Sequence, residues 1–303
     1  MVNILTLMAD GTDSPRSLTE FEQCFGDEDS CAEYLATARW PHGFVCPGCG
    51  GGKSWRLESK SWTYECAGCG RQTSVTAGTI MHHSRLPLTT WFWAAYVMAT
   101  QPNGISALQL QRELSLGSYK TAWLLCAKLR RAMAAPGRSL LSGLFEADKT
   151  DIAHQGKILI AGAVEVQDLG VGRIRLGIVP DDSAASLQAF FTASVAPGAI
   201  AQTGGEVGYS GGPGICDDPH VIGATDADNA RRRVHRIFSD LKVWAVSVYH
   251  SLRRRHLQSY LDEFVYRFDH RRDRGAAFPA LLGLAAAYQP VTYDALISLG
   301  ANA

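Results

Sequence analysis

The sequence contains no stretch approaching the roughly 20 uninterrupted apolar residues that a membrane span needs. Its start, Met1 to Arg16, also lacks a positively charged segment followed by an apolar run. On these absences the expectation is a soluble protein of the cytoplasm, in association with the nucleoid. No charge of either sign is in excess: 29 Lys and Arg stand against 29 Asp and Glu, so net charge names no partner. There is no internal repeat, which excludes a solenoid or propeller. The disulfide framework of a small secreted domain is missing too. Of eight cysteines, four fall in two Cys-x-x-Cys pairs, while Cys24, Cys31, Cys126 and Cys216 are scattered singly. That distribution suits a reduced compartment and a metal site.

What is present is enough for a substantial core: 303 residues of which 46% are hydrophobic, long enough for two domains or one domain with small additions. Charge is uneven along the chain. Between Arg231 and Arg274 twelve Lys and Arg face five acids, Asp240, Asp262, Glu263, Asp269 and Asp273, so this stretch could face a polyanion.

Leu18, Phe21 and Phe25, then Cys31, Tyr34 and Leu35, recur at helical spacing and predict a helical lead-in over 1–39. Trp40-Pro41-His42-Gly43 breaks it, and residues 40–80 are rich in glycine and aromatics with short strand-like pieces. Within them, Cys46-Pro47-Gly48-Cys49 and Cys66-Ala67-Gly68-Cys69 are separated by sixteen residues. Soft thiolates in two such pairs suit one tetrahedral zinc ion, and the glycines let both sulfurs of a pair turn onto it at about 2.3 Å. A redox Cys-x-x-Cys would need only one pair, so the expectation is a zinc ribbon holding one structural Zn2+ through Cys46, Cys49, Cys66 and Cys69.

Residues 81–137 read as helical. A run through Trp91, Trp93, Tyr96 and Met98 follows Pro87-Leu88-Thr89, and a further pair of helices follows, joined by a tight turn at Leu116-Gly117-Ser118. The second helix of that pair, Tyr119 to Met133, turns Ala122, Leu125, Cys126 and Leu129 inward. The pair is either a helix-turn-helix or an ordinary helical hairpin. In the first case Lys120, Thr121, Lys128, Arg130 and Arg131 are the candidates to contact DNA, with Lys120 and Thr121 where a base-reading helix enters the groove.

From 138 onward the pattern changes to strands. Leu144 to Thr150, Ile158 to Val166 and Gly172 to Val179 precede a helix over Ser183 to Val195, a strand at Ala199 to Thr203 and a helix over Ala230 to His250. Three adjacent strands, a helix, a fourth strand and a helix is the order of a ribonuclease-H-like fold. The whole therefore reads as an α/β multidomain protein: a small zinc ribbon and helix-turn-helix followed by a ribonuclease-H-like catalytic domain over 138–303. Glu146 and Asp148 at one strand end could together hold a divalent metal, although strand-end acids are commonly just solvated. His235 and Lys242, seven apart, share a helix face.

Taken together these segments resemble the zinc-ribbon transposases of insertion-sequence family fifteen-ninety-five, over nearly the whole chain from Phe21 to about Leu282. The matching stretches include Cys46-Pro47-x-Cys49, Gln72 to Thr79, Ser106 to Leu110, Ser118 to Trp123 and Tyr260-Leu261-Asp262-Glu263-Phe264. The resemblance implies a DNA transposase acting on double-stranded DNA at the element ends, paired by a homodimer, with catalytic Mg2+ and no membrane partner. It places the first catalytic aspartate on Asp148, with Lys149 in place of a usual acid. It places the third ligand on His235, with Asp240 competing, and the associated basic residue on Lys242. The second aspartate belongs in a Thr-Asp-Gly-x-x-Gly-Tyr stretch that here reads Thr203-Gly204-Gly205-Glu206-Val207-Gly208-Tyr209. Gly204 offers no side-chain oxygen, and a glycine-rich loop cannot fix Glu206, Asp217 or Asp218 tightly in its stead. Catalysis is therefore expected to be impaired, and the alternative is a non-catalytic DNA-binding regulator derived from a transposase.

Overall fold

Ser17 opens the first helix by accepting a hydrogen bond from the Glu20 amide, and α1 (Leu18–Phe25) turns Phe21 and Phe25 inward. Asp27 caps α2 (Glu28–Arg39) through the Ser30 amide in the same way. The computed structural model describes residues 14–134, 138–153, 157–167, 170–202, 216–217, 232–249 and 253–298. They divide into two units, 1–135 with 272–296, and 136–271 with 297–303.

In the first unit three short strands, β1 (Ser54–Arg56), β2 (Thr63–Cys66) and β3 (Gln72–Ser74), form an antiparallel sheet in that order. The helix α3 (Leu88–Thr100) follows. Pro87 makes no side-chain cap there. The orphan amides of Leu88 and Thr89 are instead satisfied by the Glu28 carboxylate at 2.9 and 2.8 Å, sixty residues earlier. Next come α4 (Ala107–Glu113) and α5 (Tyr119–Met133), capped by Ser106 and Ser118, with Ala122, Leu125, Cys126 and Leu129 buried as expected. Two helices from the far end of the sequence, α9 (Arg274–Ala287) and α10 (Tyr293–Ser298), are built in here as well. Phe278 of α9 lies 5.7, 5.5 and 6.3 Å from the rings of Phe21, Phe25 and Phe92. The sequence division at 138 keeps all later residues together, whereas 272–296 pack with the first unit. α9 is apolar enough to need a core, and this aromatic cluster supplies it.

The second unit is a five-stranded sheet of order β6-β5-β4-β7-β8. β4 (Leu144–Ala153), β5 (Lys157–Gln167) and β6 (Gly170–Ile178) are antiparallel neighbours. α6 (Ala184–Ser194) then carries the chain across, so that β7 (Ile200–Gln202) joins β4 in parallel and β8 (Cys216–Asp217) extends the sheet. α7 (Arg232–Tyr249) and α8 (Leu257–Asp269) complete the unit. Alternation along the strands separates two cores. Phe145 and Ala147 pack with Leu187 and Phe191 of α6. On the other face Ile160, Val164, Ile174 and Leu176 meet Val234, Ile237, Phe238 and Leu241 of α7 and Leu261 of α8. Among the described residues no helix is long and apolar enough to cross a membrane.

Candidate functional site

The cysteine pairs sit on two knuckles that repeat one another bond for bond. Gly48 N–H donates to Cys46 Sγ and Gly68 N–H to Cys66 Sγ, both at 3.4 Å. Gly50 N–H reaches Cys46 O, and Gly70 N–H reaches Cys66 O, both at 2.9 Å. Gly50 and Gly70 adopt φ of +74° and +69°, the left-handed turn that glycine takes without strain. The antiparallel register of β1 on β2 brings the knuckles together. Cys46 Sγ lies 3.6 Å from Cys69 Sγ and Cys49 Sγ 3.5 Å from Cys66 Sγ, and all four sulfurs fall within 4.8 Å of one another. Four sulfurs at about 2.3 Å from one zinc ion stand about 3.8 Å apart in a tetrahedron, so the donor set fits the ion. The Gly48 amide, opposed by burial, draws the Cys46 thiol down to about 6, toward the thiolate a metal needs. Cys46 and Cys66 are buried beside Phe44, Trp40 and Tyr64, which make the ribbon's small core, while Cys49 and Cys69 are exposed.

In the second unit the strand β4 and the helix α7 bring together two residues far apart in the chain. His235 Nε2 lies 2.9 Å from Asp148 Oδ2, and Asp148 Oδ1 accepts from the Lys149 amide at 2.7 Å. Asp148 is 7% exposed, whereas the His235 side chain is open to solvent. Asp240, five residues along α7, is rotated about 140° away on an ideal helix and is exposed. Lys242 is exposed on the same helix.

Glu146, whose spacing from Asp148 on β4 suggests a shared metal, is turned to the start of α7 instead. It is fully buried, its Oε2 accepts from the amides of Arg233 and Val234 at 2.9 and 3.0 Å, and its Oε1 accepts from the Arg233 guanidinium at 2.7 Å. Both of its oxygens are thus engaged by the start of α7. Opposite Asp148 in the β4–β5 register stands Gly162. A Cβ there would lie 2.6 Å from the Phe238 ring, so glycine is what lets α7 settle on the sheet. Neither arrangement has a sequence signal, because both join residues more than seventy apart.

The basic residues of α5 divide. Lys120 is exposed and Thr121 half-buried at the helix start, and Lys120 Nζ rests 4.1 Å from the Tyr293 ring. Arg131 is half-buried beside Tyr288. Lys128 and Arg130 are buried, at 8% and 1% exposure, and so cannot meet a phosphate in this conformation. Lys128 Nζ donates to the Ile80 carbonyl at 3.0 Å, and burial lowers its pKa. Helical spacing placed both on the inward side with Leu125 and Leu129, and residue type alone did not reveal it. Gly204, Glu206 and Asp218 lie outside the described residues, and of Asp217 only the strand backbone is described.

Two domain families match the chain, the transposase zinc-ribbon domain over residues 26–72 and the ISXO2-like transposase domain over residues 144–269. The first contains all four cysteines, and the second contains Asp148 and His235. The chain therefore carries a region similar to transposase zinc ribbons and a separate region similar to ISXO2-like transposase domains. Its similarity to a protein in the transposable element ISH50 of Halobacterium salinarum is 34% identity over 127 residues, covering 41% of this chain and 42% of that relative. No solved structure matches it. The four cysteines are the one group of three or more His, Cys, Asp or Glu placed to hold a metal ion among the described residues.

Proposed function

We propose that this protein descends from a DNA transposase that cut and joined double-stranded DNA at the ends of an insertion sequence, and that its catalytic centre is impaired. The observation that carries the reading is the Asp148–His235 contact at 2.9 Å. It favours His235 over Asp240 as the third catalytic ligand and sets it against the first, Asp148, with Lys242 two turns further along the helix. Support for a ribonuclease-H-like catalytic domain comes from the sheet, in which three antiparallel strands are extended through parallel β7 and β8.

Mg2+, when bound in such a centre, polarises a phosphoryl oxygen and activates the attacking water or hydroxyl. Two such ions need several oxygen ligands. The described residues offer one carboxylate and one imidazole, since Glu146 is committed elsewhere, and that donor set does not fit a two-metal centre. Gly204 at the position of the second aspartate supports the same reading. The residues present can still accept a proton at His235 and hold a phosphate at Lys242.

DNA would be held by the zinc ribbon over 40–80 and the helical segment over 81–137, with Lys120, Thr121 and Arg131 as contacts and a homodimer pairing two ends. The incomplete donor set gives specific support to a second reading, a non-catalytic DNA-binding regulator. Strand transfer with Mg2+ on the element's own ends separates the two. No product from the wild type and some from Gly204→Asp supports the impaired enzyme; salt-dependent binding with no product from either supports the regulator. Robust wild-type activity overturns both.

A further inference from the structure

We infer that Glu146 is a positioning residue: by anchoring the start of α7 to β4 it fixes His235 on Asp148. The inference rests on the reading of Asp148 and His235 as the catalytic pair. The first amides of a helix have no intrahelical partner, and their dipoles favour a negative charge. Here the amides of Arg233 and Val234 point at Glu146 Oε2, and the Arg233 side chain closes on Oε1. Glu146 is fully buried, so this carboxylate has no water to turn to and the helix start is its hydration substitute. The geometry then propagates in two short steps. Asp148 lies two residues along β4 on the same face as Glu146, and His235 follows Val234 directly on α7. One contact between strand and helix therefore sets the distance of the next.

The other contacts of α7 do not duplicate this. Its far end is held by the Tyr249 hydroxyl, which donates to the buried Glu263 of α8 at 3.0 Å, more than three turns from His235. Its middle is held by Phe238 over Gly162 and the surrounding apolar core, which fixes how closely the helix lies on the sheet. That packing sets the height of the helix over the sheet, and it acts on the apolar face rather than on the helix start. The Glu146 clamp is directional and stands at the residue next to His235.

The test is nuclear magnetic resonance of the full chain with labelled histidine, which does not depend on catalysis. Asp148→Asn defines the ring signals of His235 deprived of its partner. Glu146→Gln is expected to move those signals in the same direction, and Glu263→Gln to leave them in place while lowering stability. Unchanged His235 signals in a folded Glu146→Gln protein would overturn the inference. Should that variant fail to fold, amide exchange in the wild type decides. Arg233 and Val234 should exchange roughly tenfold or more slowly than a solvent-facing first-turn amide, as a hydrogen bond to a buried charge requires, and rapid exchange at both overturns the clamp. If Glu146→Gln moves the ring but Asp148→Asn leaves the strand-transfer product of Gly204→Asp unchanged, the positioning stands and the catalytic reading of the pair falls.

Discussion

Asp148 on β4 and His235 on α7 stand eighty-seven residues apart in the chain, yet Oδ2 of the first and Nε2 of the second are 2.9 Å from each other. The carboxylate is buried and the imidazole open to solvent, so the pair has one fixed side and one accessible side. The apolar face of the same helix packs into the core of the sheet.

If Gly162 is what allows α7 to settle, Gly162→Ala should lower stability by about 1 to 3 kcal/mol, since the added methyl meets the Phe238 ring at 2.6 Å. Denaturant unfolding measures the loss. The double variant Gly162→Ala with Phe238→Leu should recover part of it, and an unchanged midpoint in the single variant would show that the sheet and helix have room to spare.

The ribbon should hold one zinc ion per chain. Cys46→Ser or Cys66→Ser, at the buried positions, is expected to release it and collapse the small core of Trp40, Phe44 and Tyr64. Metal content by elemental analysis and tryptophan fluorescence report this directly. A metal-free ribbon with native fluorescence would contradict it.

Two lysines of one helix should behave oppositely. Lys120→Ala is expected to weaken DNA binding and flatten its salt dependence by about one phosphate contact while leaving stability within about 0.5 kcal/mol. Lys128→Ala removes a buried donor to the Ile80 carbonyl and should cost roughly 1 to 3 kcal/mol of stability. Binding isotherms at several salt concentrations, set beside thermal melts, distinguish them. The reverse assignment of effects would mean that α5 presents its other face to DNA.

Acid sensitivity should centre on Glu165. Burial works to raise its carboxyl, and the Arg173 guanidinium with the amides of Ser142 and Arg173 more than reverses this, so its pKa is lowered. A carboxyl whose folded pKa lies below the unfolded value of about 4.3 stabilises the fold above that pH and loses the contribution as pH falls through the folded value. Glu165→Gln should therefore cost about 1 to 2 kcal/mol near neutrality, and the gap from wild type should narrow below about pH 4. Urea titrations across that range test it, and a gap independent of pH would remove Glu165 from the account.

Restoring the missing carboxylate is the sharpest test of the catalytic reading. Gly204→Asp should yield strand-transfer product with Mg2+ where the wild type yields none. Double loss in Gly204→Asp with Asp148→Asn would tie the gain to the same centre.

Much of this protein was legible locally. The paired cysteines announced the ribbon because a metal site of this kind is written within two knuckles, each with cysteines three residues apart and glycines two apart. The order of strands and helices in the second unit was legible too, since period-two and period-3.6 patterns are properties of short segments. The charged residues were read less well, because residue type does not say which side of a helix or strand is covered. Lys128 and Arg130 looked like DNA contacts and are buried. Glu146 looked like a partner to Asp148 and is a helix anchor. Pro87 marks the start of α3 as its sequence suggests, but the carboxylate that satisfies the first amides is that of Glu28. In each case the deciding partner is supplied by another element, dozens of residues away.

The sequence by itself determined the clustering of four cysteines in a ribbon, the strands and helices from β4 to β7, and the likeness to transposase domains, all of which depend on spacing within short windows, whereas the short β8 falls where glycine content suggests a loop. Only the tertiary structure decided that His235 rather than Asp240 meets Asp148, that Glu146 is spent on the start of α7, and that α9 returns to the first unit. Those outcomes depend on strand register, helix rotation and burial, which arise when distant segments compete for the same core and the same hydrogen bonds.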